Sequence, residues 1–218
     1  MTSNRLSMKR SRKGQNLTRS DPSYIGKRVL DLSLLTISNV LALPLLLIVV
    51  IILSVLIKLE DGGPVLYKQR RVGIGGKIFN LLKFRSMRVN AEQDTGPVLS
   101  SRLDNRQTKI GRFMRKRALD EIPQLYNLWR GDMSIVGPRP ERPEIVEEIT
   151  KTLPEFRERE AVRPGLTGLA QIHGKYSSDP AVKLMHDQLY IKRMSPLTDM
   201  KIILRSVLRT VLGKWNNM

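Results

Sequence analysis

Two adjacent carboxylates, Asp120 and Glu121, follow a run of cations: Arg112, Arg115, Lys116 and Arg117. Pro123 follows two residues after Glu121, and Arg139 lies downstream between Pro138 and Pro140. An ionised carboxylate can attack phosphorus, as in aspartyl-phosphate enzymes. A second carboxylate beside it can hold a hard cation such as Mg²⁺, which takes one or two carboxylates plus phosphate oxygens. Such a cation screens the repulsion between an anionic nucleophile and an anionic phosphate. Arginines bind the remaining oxygens, best as bidentate forks. The prolines around Arg139 stiffen its backbone and so present the fork in one place. The same acids have a simpler reading, because acids at helix starts commonly act only on the helix dipole. Spacing alone leaves both readings open.

These groups need elements to position them. Ile122, Leu125, Tyr126 and Trp129 fall at i, i+3, i+4 and i+7, which predicts a helix that Gly131 stops. Pro123 belongs in its first turn, where a missing N–H costs nothing, so the acids belong at its N-terminus. Residues 108–117 predict another helix, with Ile110, Phe113 and Met114 on one face. Upstream, "VLYKQRRVG" and "KIFNLLKFRSM" flank turn glycines and read as a β-hairpin. Gly73, Gly75 and Gly76 belong to that turn; no helix pattern follows, so they are not a phosphate-binding loop. A helix is expected over 141–160, its many Glu and Arg forming a solvated face. "RPGLTGLAQIHGK" reads as loop or short strand. From 199 to 215, Met200, Ile203, Leu204, Val207, Leu208, Val211 and Trp215 make one stripe on a basic helix. That stripe suits a membrane interface or the domain core. There is no internal repeat.

The 218 residues carry 38 basic against 20 acidic side chains, a net charge of +18. A polyanionic partner follows: nucleic acid, an anionic membrane or a phosphorylated substrate. The absence of cysteine excludes disulfides and thiolate chemistry, and two histidines make a histidine metal site a poor reading. Residues 34–57, "LLTISNVLALPLLLIVVIILSVLI", are 24 residues without a charge, enough to cross a hydrocarbon core of about 30 Å. The run is too long for a cleaved signal peptide. Pro44 interrupts it, and basic residues lie on both flanks, Lys27 and Arg28 before, Lys58 and Lys68 after. Positive charge marks the cytoplasmic side, so a segment that enters, bends at Pro44 and returns fits as well as a kinked span.

Three segments, "KFRSM" (83–87), "LDEIPQLYNLWRGDMSIVGPRP" (119–140) and "RPGLTGLAQIHG" (163–174), follow one apolar segment in this order. Together they resemble the bacterial sugar transferase family, the small monotopic phosphoglycosyl transferases, over roughly residues 24–215. The resemblance implies an α+β fold: a re-entrant membrane helix broken at Pro44, then a small, mostly helical cytosolic domain with a β-hairpin and interfacial amphipathic helices. The corresponding division is a basic disordered tail (1–23), the re-entrant helix (24–60) and the catalytic domain (61–218). The implied reaction transfers a sugar-1-phosphate from a nucleoside diphosphate sugar, usually a UDP-sugar, to polyprenol phosphate such as undecaprenyl phosphate. UMP leaves, and lipid-linked glycan synthesis begins at the cytoplasmic face of the bacterial inner membrane.

In the resemblance Asp120 is the nucleophile that carries the phosphosugar, and Glu121 ligates Mg²⁺, with Mn²⁺ as the alternative. Lys83, Arg85, Arg115 and Arg139 are its phosphate-binding candidates, and Arg163 and Gln171 are placed near the nucleotide. Many relatives carry Ser where this chain has Leu43, and an aromatic residue at Leu169. Longer members carry extra N-terminal membrane helices, so this chain reads as the minimal form. Oligomeric state stays open, a homodimer included, and so does the sugar. The alternative class is a membrane-tethered basic protein that binds nucleic acid. Against it, no aromatic cluster for base stacking, zinc finger or helix-turn-helix pattern is present, so nucleic acid is not expected as a partner.

Overall fold

The computed structural model describes residues 23–91, 104–173 and 179–212. The expected basic tail and Trp215 lie outside the described residues. α1 runs from Lys27 to Asp61. It is long and apolar enough to cross a membrane, and only 11% of its most apolar window is buried. That low burial separates it from the core helix of a soluble protein. The helix is continuous through Pro44, where a break was expected. Proline has no N–H, so the carbonyl of Val40, four residues earlier, loses its helical donor.

Both ends of α1 dock on the rest of the molecule. Leu35 joins a buried cluster with Leu81, Leu128 and Met133. Leu53 and Ile57 join another with Phe84 and Met114. Between Leu35 and Leu53 no residue is buried, and Leu41, Leu45 and Ile51 are well exposed. Polar contacts pin both ends. Lys27, buried, donates to Asp199 at 2.6 Å, and Tyr24 and Tyr190 donate to the same carboxylate. Asp31 accepts from Ser134 and from the backbone of Ile135. At the other end Glu60 accepts from the backbone N–H groups of Lys109 and Ile110, and Asp61 pairs with Arg85.

β1 (Leu66–Val72) and β2 (Ile78–Phe84) form the expected antiparallel hairpin, with Leu66 opposite Phe84. Gly75 and Gly76 take the positive φ that its turn requires. α2 (Lys109–Lys116) forms as expected, capped by Thr108. Ala118 then reverses the chain at φ 54°, a left-handed value that is uncommon outside glycine. A 3-10 turn, Leu119–Glu121, and α3 (Gln124–Arg130) follow.

The acids therefore lie in a separate 3-10 turn and not in the first turn of α3. Pro123 is the cause. It cannot donate to the Leu119 carbonyl, which accepts from Ile122 instead, one residue tighter than an α-helix.

β3 (Ser134–Val136) and β4 (Gly165–Thr167) pair in parallel. Between them lie α4 (Pro143–Thr152) and a 3-10 segment, Pro154–Ala161. The single helix expected over 141–160 is thus split, because Pro154 cannot continue it. α5 (Leu169–His173), α6 (Pro180–Lys192) and α7 (Pro196–Val211) complete the described fold. Two small two-stranded sheets among helices make it mixed α and β. α7 turns Asp199, Ile202 and Ser206 inward. Its apolar stripe, Met200, Leu204, Val207, Leu208 and Val211, faces outward, and among the described stripe residues only Ile203 packs against the core.

Candidate active site

Three elements converge on the acids. The first is β2. Asn127, buried on α3, accepts from the Leu82 N–H at 3.0 Å and donates to the Asn80 carbonyl at 2.8 Å. Its amide thus acts as a strand partner for the open edge of β2. This docks α3, and the turn before it, beside Lys83. Lys83 Nζ lies 3.1 Å from Glu121 Oε1. The second element is the 3-10 turn itself. The third is the loop after β3, which carries Arg139, whose guanidinium reaches the same Oε1 at 2.7 Å.

That loop is held by close backbone packing against β4. Gly137 donates to the Thr167 carbonyl, and Gly165 donates to that of Pro138. A Cβ on Gly165 would sit 2.1 Å from the Gly137 nitrogen, so only glycine fits. The "RPGLTG" segment is thereby the platform on which the Arg139 loop rests.

Asp120 is 7% exposed. Burial raises its carboxyl above the usual range; Lys83 pulls it down, the charge on Glu121 pushes it up, and Arg115 and Arg139 pull down. Burial wins at this group. At Glu121 burial also pushes up, but Arg139 and Lys83, both close and both hydrogen-bonded, overcome it and hold the carboxyl well below the usual range. Three side-chain cations supply the positive field, and the two acids separate in proton affinity.

Residues 22–213 match the family described as bacterial sugar transferase. The chain belongs to that family. It is 40% identical over 189 residues to a UDP-N-acetylgalactosamine-undecaprenyl-phosphate N-acetylgalactosaminephosphotransferase of Aeromonas hydrophila, covering 85% of this chain and 43% of the relative. It is 41% identical over 188 residues to a UDP-glucose:undecaprenyl-phosphate glucose-1-phosphate transferase of Caulobacter vibrioides, covering 83% and 68%. A third similar protein, a putative undecaprenyl-phosphate N-acetylgalactosaminyl 1-phosphate transferase of Bacillus subtilis, is 46% identical over 133 residues, 61% of this chain and 72% of the relative. The chain thus spans less than half the length of the Aeromonas relative and about two thirds of the Caulobacter one.

In this bacterial sugar transferase, Lys83, Arg115 and Arg139 all act on the acids, as the causes of the proton-affinity shifts show. Arg85 goes elsewhere. It is buried against the end of α1, paired with Asp61 and 3.4 Å from the Ile57 carbonyl. Arg163 donates to the Gly131 carbonyl at 3.2 Å, and Gln171 to the Leu166 carbonyl at 3.1 Å. Both brace the β3–β4 platform. Arg112, Lys116 and Arg117 are exposed, and Arg117 lies over the Phe113 ring.

Two groups of residues escaped sequence reasoning. Asn127 had no signal beyond sitting in a helix pattern. Glu141 and Arg159, expected on a solvated face, are buried together with Asp187. A hint existed: Glu141 directly follows the Pro-Arg-Pro turn.

Among the described residues no three His, Asp or Glu side chains form a metal cluster. The acid pair fits a hard cation by its chemistry. Both donors are carboxylate oxygens, and Asp120 is buried beside Glu121, where burial outweighs the pull of the neighbouring cations.

A group whose folded-state proton affinity is raised costs the fold stability once it ionises. The loss develops as pH rises from the unfolded to the folded value. Asp120→Asn removes that cost. In metal-free buffer at neutral pH the variant should melt above the wild type, and the gap should close as pH falls. Thermal unfolding followed by circular dichroism reads this. A variant that melts lower at neutral pH contradicts the balance described.

Proposed function

We propose that this chain is a magnesium-dependent phosphoglycosyl transferase that moves a sugar-1-phosphate from a UDP-sugar to undecaprenyl phosphate. The observation that carries the reading is the acid pair itself: Glu121 ion-paired to Lys83 and Arg139, with Asp120 buried next to it under the same cations. The names of the relatives support the substrate class and differ in the sugar, so the sugar stays open.

In the first step an Asp120 oxygen attacks the sugar-bearing phosphorus of the donor. The bond from that phosphorus to the bridging oxygen breaks, and UMP leaves with the electron pair. In the second step a phosphate oxygen of the lipid attacks the same phosphorus. The aspartyl P–O bond breaks, the carboxylate returns, and polyprenyl diphosphate sugar departs. Lys83, Arg115 and Arg139 hold phosphate oxygens and oppose the effect of burial on Asp120, which must be ionised to attack. Glu121 would hold Mg²⁺ with Asp120, and the cation would neutralise charge on the phosphates. Arg85 braces the membrane helix and leaves phosphate binding to the others. Arg163 and Gln171, on the β4 platform, remain candidates for the nucleotide side.

The membrane segment enters and returns on the cytoplasmic side. Support comes from its two docked ends and exposed middle. Leu35 and Leu53 are 18 residues apart, about 27 Å along a straight helix. Their clusters include Leu81 and Phe84, three residues apart on β2, about 10 Å. A kink at Pro44 within the continuous helix would reconcile the two spacings. The outward apolar stripe of α7 lies in the membrane interface beside it.

The natural chain lacks cysteine, which makes single-cysteine labelling clean. Arg12→Cys and Lys68→Cys should both resist a membrane-impermeant maleimide in intact cells. Labelling of one alone means that α1 spans.

The reaction is tested by UMP release from a panel of UDP-sugars with undecaprenyl phosphate. One sugar should give turnover that chelator abolishes and Mg²⁺ or Mn²⁺ restores. Asp120→Asn should abolish it, and Glu121→Gln should lower it about a hundredfold. Near wild-type turnover by Asp120→Asn would return the acids to a purely electrostatic role.

A further inference from the structure

The loop that presents Arg139 is clamped by a second ionic cluster that the reaction does not use. Pro138 and Pro140 fix their own φ angles, and Pro140 also keeps Arg139 extended. Three successive carbonyls after Pro138 are then held by neighbours. The Arg139 carbonyl accepts from the Arg159 guanidinium at 2.8 Å. The Pro140 carbonyl accepts from Arg71 at 2.7 Å, and that of Glu141 from the Val72 N–H at 3.0 Å.

Arg159 is the centre of this clamp. It is 6% exposed, so its charge requires compensation. The same terminal nitrogen that reaches the Arg139 carbonyl lies 2.8 Å from Asp187 of α6. Its other terminal nitrogen lies 3.7 Å from Glu141, and its face covers the Phe156 ring at 4.6 Å. Glu141 is shared with Lys183 and Arg71. A planar guanidinium held on one side by two acids and below by a ring has little freedom left. The terminal nitrogen that faces Asp187 also donates to the peptide that aims Arg139 at Glu121.

We propose that Arg159 is a positioning residue for the transfer reaction: anchored by Asp187 and Glu141, it fixes the Arg139 peptide and thereby the guanidinium that faces Glu121. This rests on the phosphoglycosyl transferase reading above. Lysine at 159 would keep the charge but lose the planar fork, so it would balance the acids without holding the carbonyl in place.

The test is a double-mutant cycle on UMP release, using the UDP-sugar that the wild type turns over. Failure of the wild type with every sugar in the panel would sink the underlying reading and is distinct from any result of the cycle. Arg159→Lys and Arg159→Gln should each lower kcat about tenfold to a hundredfold, as a misplaced catalytic group does. In an Arg139→Ala background the same changes should cost at most about twofold, because the group they aim is gone. Thermal unfolding of each variant shows that it is folded, and Arg159→Lys carries the test where Arg159→Gln does not fold. Losses that multiply independently in the Arg139→Ala background would overturn the proposal and leave Arg159 as a stabilising residue only. Unchanged kcat in Arg159→Lys would overturn it as well.

Discussion

Everything in this fold turns on one carboxylate oxygen. Glu121 Oε1 receives Lys83 from the hairpin and Arg139 from the loop after β3, while its own 3-10 turn stands between them. No two of these elements are neighbours in sequence. Each therefore needs its own anchor: the Asn127 amide for β2, the glycine-packed β3–β4 pair and the Arg159 clamp for the loop, Pro123 for the turn. The two ion pairs offset the cost of burying Glu121, but the field they create does not fully offset that of Asp120 next door. A buried carboxylate whose neighbours do not fully compensate its burial is expensive. It is also the kind of group that gains from meeting a polarised phosphorus.

The membrane helix is wired into the same site at both ends. Asp31 holds Ser134 and Ile135, just before the Arg139 loop. Glu60 caps the start of α2, whose last turn carries Arg115. The Lys27–Asp199 pair is almost fully buried, and removing one partner of such a pair typically costs about 3–5 kcal/mol. Seating of α1 and geometry of the acids are therefore coupled through short hydrogen-bonded paths.

Much of this was legible in the sequence. The hairpin, α2, α3 and the amphipathic α7 each announced themselves by periodicity and turn residues. The apolar segment announced itself by length. The acids and their flanking arginines stood out because the residue types suit phosphate chemistry. What stayed hidden depended on contacts between distant segments. Arg85 sits in a phosphate-friendly motif yet folds back onto Asp61. Glu141 and Arg159 look like surface charges until the fold brings them together and α6 sets Asp187 against Arg159. Helix periodicity also carried 141–160 past Pro154 and ran Asp120 into α3, where a proline's missing donor decides otherwise. Whether α7 packs inward or outward was open because its inner face carries Asp199 and Ser206 with Ile202, a mostly polar pattern that periodicity reads backwards.

The central claim is that Asp120 carries the phosphosugar. The direct measurement is the intact mass of the protein after incubation with its sugar nucleotide and Mg²⁺, with no lipid acceptor present. The account predicts a gain of one phosphosugar, mapped to the peptide containing Asp120 and discharged when undecaprenyl phosphate is added. An unmodified mass, from enzyme that still transfers the sugar when acceptor is supplied, would contradict it and point to direct attack by the lipid phosphate.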